Sequence, residues 1–221
     1  MKDIYKKMYH ESRELSLSGN PRLAVMLGLV KSLKLKQKKI LDVGCYDGTF
    51  LTMIADNSLF GVDASDYAVK KCRKLGINTK QFFFDDKKKF PYDDHSFDLI
   101  IVGEIIEHIY DTDFFLEEIK RLLKPKGRLI LSTPNIASLG RRLYLFAGIS
   151  PIIEDSPNEK DSSGHIRYFT RKSLEKLLVK HRLRIKVCKS DIVNLSGNGQ
   201  IRSGALASLF PSLGQSIIVL C

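Results

Sequence analysis

Lys39-Ile40-Leu41-Asp42-Val43-Gly44-Cys45-Tyr46-Asp47-Gly48-Thr49-Phe50-Leu51 decides the fold. The stretch up to Val43 reads as a short buried strand, the two glycines as a tight turn, and Thr49 onward as the opening of a helix. In an open α/β sheet such a turn lies at the carboxyl edge of the strands, where ligands bind. Gly44 and Gly48 let a ligand approach the backbone closely, and the helix start offers free N–H groups that suit an anionic group such as a carboxylate. A dinucleotide fingerprint needs glycine where this chain has Tyr46 and Thr49, and no Gly-Lys-Ser/Thr phosphate loop is present, so both pyrophosphate readings weaken together.

Working outward, the alternating apolar segments 59–62, 81–84, 97–102 and 128–132 read as further strands, with 183–188 and 216–220 later. Helical patterns cover 49–55, 65–75, 112–123 and 170–181. Strand and helix in series argue for an α/β protein with a mainly parallel sheet. Two helices precede it: one around 4–15, and one opened by Asn20 as N-cap with Pro21 at the first helical position, reaching about Leu33. Another follows Thr133-Pro134-Asn135 to about Phe146. The segment 148–164 lacks periodicity and is expected to be mobile.

The chain has 221 residues, 43% of them hydrophobic, and 36 Lys and Arg against 25 Asp and Glu, a net charge of +11. Such a composition excludes disorder throughout and fits one globular domain, 1–221. No apolar run approaches the roughly 20 residues of a membrane-spanning helix, and the charged start is unlike a signal peptide, so a cytoplasmic location is expected. Cys45, Cys72, Cys188 and Cys221 are too scattered for a zinc site or a disulfide framework. The basic balance raises nucleic acid or an anionic membrane as partners, but the lysines are spread thinly and read as solvated loops and helix ends.

The second strand ends Phe60-Gly61-Val62-Asp63, so Asp63 emerges beside the glycine turn and can accept hydrogen bonds from two ribose hydroxyls. The next strand delivers Asp85-Asp86 to the same edge, where a carboxylate can take a proton from an adenine amino group. Together these strand ends imply an adenosine-bearing ligand.

At this point the sequence resembles the class I S-adenosylmethionine-dependent methyltransferases. The blocks that carry the resemblance are 40–51, Gly61-Val62-Asp63-Ala64, 85–92 leading into Ser96-Phe97-Asp98-Leu99-Ile100, Glu104-Ile105-Ile106-Glu107-His108, and Leu122-Leu123-Lys124-Pro125-Lys126-Gly127-Arg128-Leu129. The resemblance implies a Rossmann-like, mainly parallel seven-stranded sheet with helices on both faces, an antiparallel last strand and a helical cap over 1–36, with a further cap segment at 138–168. It implies that S-adenosyl-L-methionine is the cofactor. By it, Asp42, Gly44, Cys45, Tyr46 and Gly48 would hold the methionine end, Asp63 the ribose, and Ala64 would flank the adenine. Asp86 and Lys87 would read the adenine edge, and Gly103 and Glu104 would border the sulfonium. Tyr46 stands where the family usually has glycine.

Methyl transfer from a sulfonium asks the protein mainly to align the acceptor and exclude water. An acceptor that must lose a proton calls for a base, and His108 is the first candidate, with His165 in Gly164-His165-Ile166-Arg167-Tyr168-Phe169-Thr170 the second. A packing role for each, with Thr170 capping the next helix, stands beside the catalytic one. Glu104, Glu107 and His108 would share one face of a helical turn and could hold a divalent ion, although no metal is assigned. Tyr5, Tyr9, His10 and Arg22 could reach the cofactor carboxylate or the acceptor.

The expected activity is methyl transfer to a small-molecule acceptor. An RNA or protein methyltransferase is the alternative, disfavoured for base amines by Gly103-Glu104-Ile105-Ile106 where a base-gripping Asn/Asp-Pro-Pro-Tyr/Phe tetrad would stand. A non-catalytic cofactor-binding sensor or partner subunit is the third reading.

Overall fold

In the computed structural model, residues 19–54, 56–84, 88–152, 164–196 and 200–221 are described. The elements run α1 (Pro21–Ser32), β1 (Lys39–Val43), α2 (Thr49–Thr52), β2 (Ser58–Asp63), α3 (Asp66–Lys74), β3 (Asn78–Gln81), β4 (Phe97–Gly103), α4 (Thr112–Leu122) and β5 (Leu123–Pro134). They continue with α5 (Leu139–Phe146), α6 (Arg171–Lys180), β6 (Val187–Lys189), β7 (Val193–Asn194), β8 (Arg202–Ser203), α7 (Gly204–Leu209) and β9 (Ser216–Leu220).

Seven strands form one sheet in the order β3-β2-β1-β4-β5-β9-β6. The pairings from β3 through β5 are parallel, and β9 runs antiparallel to both β5 and β6. Strand order reverses between β1 and β4, which opens a crevice at their carboxyl ends. The expected architecture is therefore present, with the antiparallel last strand inserted between β5 and β6.

The central strands are near-continuous apolar runs because both faces are covered. Leu41, Val43, Ile100, Val102, Leu129 and Leu131 point to one side, against Leu116 and Ile119 of α4 and Leu174 and Leu178 of α6. Ile40, Leu99, Ile101, Ile130 and Ile218 point to the other, against Leu23, Met26 and Val30 of α1. Helix α1 starts as its sequence dictates: the Asn20 side chain accepts from the Leu23 N–H at 3.2 Å, and Pro21 follows. Thr170 likewise caps α6 through a reciprocal pair of bonds with Ser173.

Two expectations need correction. The third strand is Asn78–Gln81 rather than 81–84. Phe82 and Phe84 leave the sheet to join a ring cluster with Phe90 and Phe115, with Phe82 stacked on Phe90 at a centroid distance of 4.8 Å. The sixth strand is Val187–Lys189, because Leu183 and Ile185 pack into the core ahead of it rather than pair. The Gly- and Ser-rich stretch before the last strand carries a two-stranded ribbon, β7 with β8, followed by α7. The helix expected around 4–15 and the segment 153–163 lie outside the described residues.

Candidate active site

The β1 turn owes its shape to positive backbone angles at Gly44 (φ +77°), Tyr46 (φ +48°) and Gly48 (φ +78°). At Gly44 a Cβ would stand 2.3 Å from the Ile105 Cδ1, so glycine is needed there on two counts. Tyr46 takes the left-handed conformation despite its side chain, and its backbone is fastened on both sides. Its N–H donates to an Asp63 carboxylate oxygen (2.9 Å), and its carbonyl accepts from the Cys72 thiol (3.4 Å). Cys45 is buried with its sulfur 3.5 Å from that of Cys72, on the inner side of the turn. Asp47 accepts from the Thr49 N–H (3.0 Å) at the start of α2.

Asp63, at the tip of β2, also accepts from the Ser65 N–H at 2.8 Å. Burial pushes its carboxyl up to about 6, against the pull of the Ser65, Tyr46 and Ala64 N–H groups. Burial likewise holds Asp42, in β1, well above the usual carboxylate range, with Cys72 and Asp63 adding to the effect and Arg22 opposing it. Gly44, Asp63, Ala64, Phe84, Ile105, His108 and Ile109 line one cleft. Phe84, Ile105 and Ile109 carry no chemical signal in the sequence that would mark them as lining the cleft. Asp86 and Lys87 lie outside the described residues, as do Tyr5, Tyr9 and His10.

The residues after β4 divide into two groups. Gly103 ends the strand, and Glu104 turns left-handed (φ +56°). Its carboxylate accepts from the Ser132 hydroxyl (3.1 Å) and lies 3.8 Å from the Arg22 Nε, while Arg22 Nη1 donates to the same hydroxyl (3.3 Å). Ile106–His108 then form a single 3₁₀ turn. The three side chains therefore do not share one helical face: Glu104 is drawn to α1, and Glu107 and His108 group with His165 instead.

Glu107 is 1% exposed. One carboxylate oxygen accepts from the Thr133 hydroxyl (2.9 Å), and the other has no hydrogen-bond partner among the described residues and stands 3.9 Å from His165 Nε2. Burial, reinforced by the Glu104 charge, pushes the Glu107 carboxyl up to about 8. The His108 and His165 rings are 4.8 Å apart, and His108 Nδ1 is 3.1 Å from the Gly164 carbonyl. Potential ligand atoms of Glu107, His108 and His165 all fall within 4.8 Å of one another. The 164–167 strip is clamped over the turn: the Ile166 and Arg167 N–H groups both donate to the Glu107 carbonyl, and the Arg167 guanidinium donates to the Ile109 and Tyr110 carbonyls. Sequence alone had no means of pairing 165 with 107, because nothing local links positions so far apart.

Residues 19–185 match the family model described as a methyltransferase domain. The ubiquinone biosynthesis O-methyltransferase of Pelagibacter ubique is 36% identical over 134 residues, 56% of this chain and 52% of its own length. The mitochondrial ubiquinone biosynthesis O-methyltransferase of Schizosaccharomyces pombe is 30% identical over 142 residues, 61% of this chain and 52% of its own. The chain thus spans about half the length of these curated relatives. Among solved structures, the 1,6-didemethyltoxoflavin-N1-methyltransferase of Burkholderia thailandensis, with bound 1,6-didemethyltoxoflavin and S-adenosylhomocysteine, superposes with a TM-score of 0.63 at 13% identity, covering 99% of this chain and 85% of that one. A Thermotoga maritima S-adenosylmethionine-dependent methyltransferase, a possible histamine N-methyltransferase, gives 0.62 at 20% identity over 90% and 87%. These structures share the fold. With the family model matching residues 19–185, and the glycine turn and the β2 carboxylate meeting at one edge of the sheet, the chain belongs to the class I S-adenosylmethionine-dependent methyltransferases.

Proposed function

We propose that the chain, read as one methyltransferase domain capped by 1–36 and 138–168, transfers a methyl group from S-adenosylmethionine to a hydroxyl of a small-molecule acceptor. The observation that carries the reading is Asp63: two backbone N–H bonds aim its buried carboxylate at the cleft that Gly44 and Ala64 also line. An ionised carboxylate so held keeps lone pairs for two ribose hydroxyls. Ala64 and Phe84 offer an apolar wall for a purine, with Asp86 and Lys87 assigned to its edge. Asp42, Gly44, Cys45, Tyr46 and Gly48 frame the methionine end, and Gly103 and Glu104 border the reacting centre.

When bound, S-adenosylmethionine supplies a methyl carbon already activated by its sulfonium, so the protein's share is alignment and proton transfer. His108 lines the cleft and takes the proton from the acceptor hydroxyl, with the Gly164 carbonyl beside its Nδ1 fixing the ring. His165, against both His108 and Glu107, orients the acceptor and is the second candidate base. Support for a hydroxyl acceptor comes from the relatives named as ubiquinone biosynthesis O-methyltransferases. The test is calorimetric titration with S-adenosylmethionine followed by a screen of phenolic acceptors. Cofactor binding without transfer to any of them would favour the sensor reading.

A second reading concerns a divalent cation. The unpartnered buried oxygen of Glu107 next to two imidazoles is a donor set suited to a first-row transition metal. Glu107, His108 and His165 would hold the ion, which would lower the pKa of an acceptor hydroxyl. Retention of manganese or zinc through gel filtration by the wild type, and its loss in Glu107→Gln, would separate this reading from a metal-free base.

A further inference from the structure

Two buried thiols meet behind the turn that follows β1. Cys45 stands next to Gly44 in that turn and Cys72 stands in α3, 27 positions further on, so no local spacing pairs them. Their sulfurs are 3.5 Å apart, and both residues are buried. Glycines leave the room they fill. A Cβ on Gly61 would stand 2.7 Å from the Cys45 sulfur, and one on Gly48 would stand 3.1 Å from the Cys72 sulfur. Methyl transfer uses neither sulfur. The other two thiols, Cys188 in β6 and Cys221 after β9, are separated from the turn by β4 and β5.

We propose that Cys45 and Cys72 form a redox modification site, a reversible disulfide made by hydroperoxides that lowers the affinity for S-adenosylmethionine. The hydrogen bond from the Cys45 thiol holds Cys72 below the usual thiol range, against its burial, while the same bond and burial push Cys45 up. Cys72 is therefore the sulfur that ionises and attacks. Its thiolate takes the terminal oxygen of the peroxide, the O–O bond breaks, and Cys72 becomes a sulfenic acid. The Cys45 sulfur then attacks the Cys72 sulfur, gives up its proton, and the hydroxyl leaves as water. With hydrogen peroxide the balance is two thiols oxidised to one disulfide and one peroxide reduced to two waters. Gly44 adjoins Cys45 and lines the cleft, which is the side from which a small neutral peroxide enters.

The link acts on the turn. In the reduced protein the neutral Cys72 thiol donates to the Tyr46 carbonyl at 3.4 Å, fastening a residue held at φ +48°. A disulfide has no proton to donate, and it draws the sulfurs from 3.5 Å to about 2 Å, pulling the turn toward α3. Tyr46 loses that fastening, and the backbone from Gly44 to Gly48 leaves the shape that frames the methionine end.

The experiment exposes the full chain, freed of reductant, to millimolar hydrogen peroxide, and follows it by peptide mass mapping and by calorimetric titration with S-adenosylhomocysteine. A peptide joined through Cys45 and Cys72 appears, affinity falls about tenfold, and dithiothreitol reverses both. The link forms more slowly when S-adenosylhomocysteine already fills the cleft. Cys188→Ser with Cys221→Ser responds as the wild type does. Cys72→Ser keeps a hydroxyl donor for the Tyr46 carbonyl but forms no link, so peroxide leaves its affinity, whatever the starting value, unaltered. Mapping does not depend on methyl transfer, and a failed acceptor screen does not touch it. Free thiols at 45 and 72 after exposure, oxidation of Cys72 to a sulfinic acid without a link, or a link that leaves affinity unchanged overturns the inference.

Discussion

The Tyr46 backbone N–H donates to the Asp63 carboxylate across 2.9 Å, so the tip of β2 holds the β1 turn in its left-handed shape. One carboxylate thereby serves two ends. It braces the loop that frames the methionine tail, and it keeps acceptor capacity for the ribose.

The raised Asp63 carboxyl makes cofactor affinity depend on pH. Its folded value, about 6, exceeds the unfolded-chain value of 3.8, so the folded protein holds the proton more tightly than the unfolded chain, and the stability this contributes is present at low pH and lost as pH rises through 6. Ribose hydroxyls require the ionised form. S-adenosylmethionine affinity is therefore flat above about pH 7 and falls about tenfold per unit below pH 6, read by titration across that range. An affinity unchanged down to about pH 5 would remove Asp63 from the contact.

Gly44→Ala meets both a left-handed backbone and the Ile105 side chain. It is expected to cost about 3 kcal/mol in denaturant unfolding. In an Ile105→Ala background the same change costs only about 1 kcal/mol, the backbone share alone. Equal costs in the two backgrounds would mean that the contact carries no energy.

Tyr46 pays for its positive φ in the resting protein. Tyr46→Gly raises stability by about 0.5 kcal/mol, after the extra chain entropy of glycine is subtracted. A melting temperature that falls instead would show that the ring's own packing outweighs the strain.

Much of this was legible because it is local. The Asn20-Pro21 helix start, the Thr170 cap and the strand–turn–helix at 39–51 are each specified by neighbours within a few positions, and the structure has them. What escaped depended on distant partners. Phe82 and Phe84 have strand-like character, but Phe90 and Phe115 draw them out of the sheet, leaving the polar Asn78–Gln81 as the edge strand. Glu104 was expected beside Glu107, yet Arg22 and Ser132 bind it while its backbone turns left-handed. The ribbon and helix after Asp191 are placed by distant partners, β7 against α5 and α7 against β7.

His108 and His165 separate by kinetics. His108→Ala lowers kcat about 100-fold on a phenolic acceptor with cofactor affinity held within about twofold, whereas His165→Ala acts chiefly on acceptor KM. Parallel loss of turnover and cofactor binding in His108→Ala would make that residue a brace for the turn.

Cofactor binding at Asp63 is tested most directly by calorimetric titration of S-adenosylmethionine and its demethylated product into the wild type and Asp63→Ala. Micromolar binding by the wild type, weakened about 100-fold or more in Asp63→Ala with the fold intact, is the predicted result. Binding of equal strength in both proteins, or none in the wild type at millimolar ligand, would contradict it.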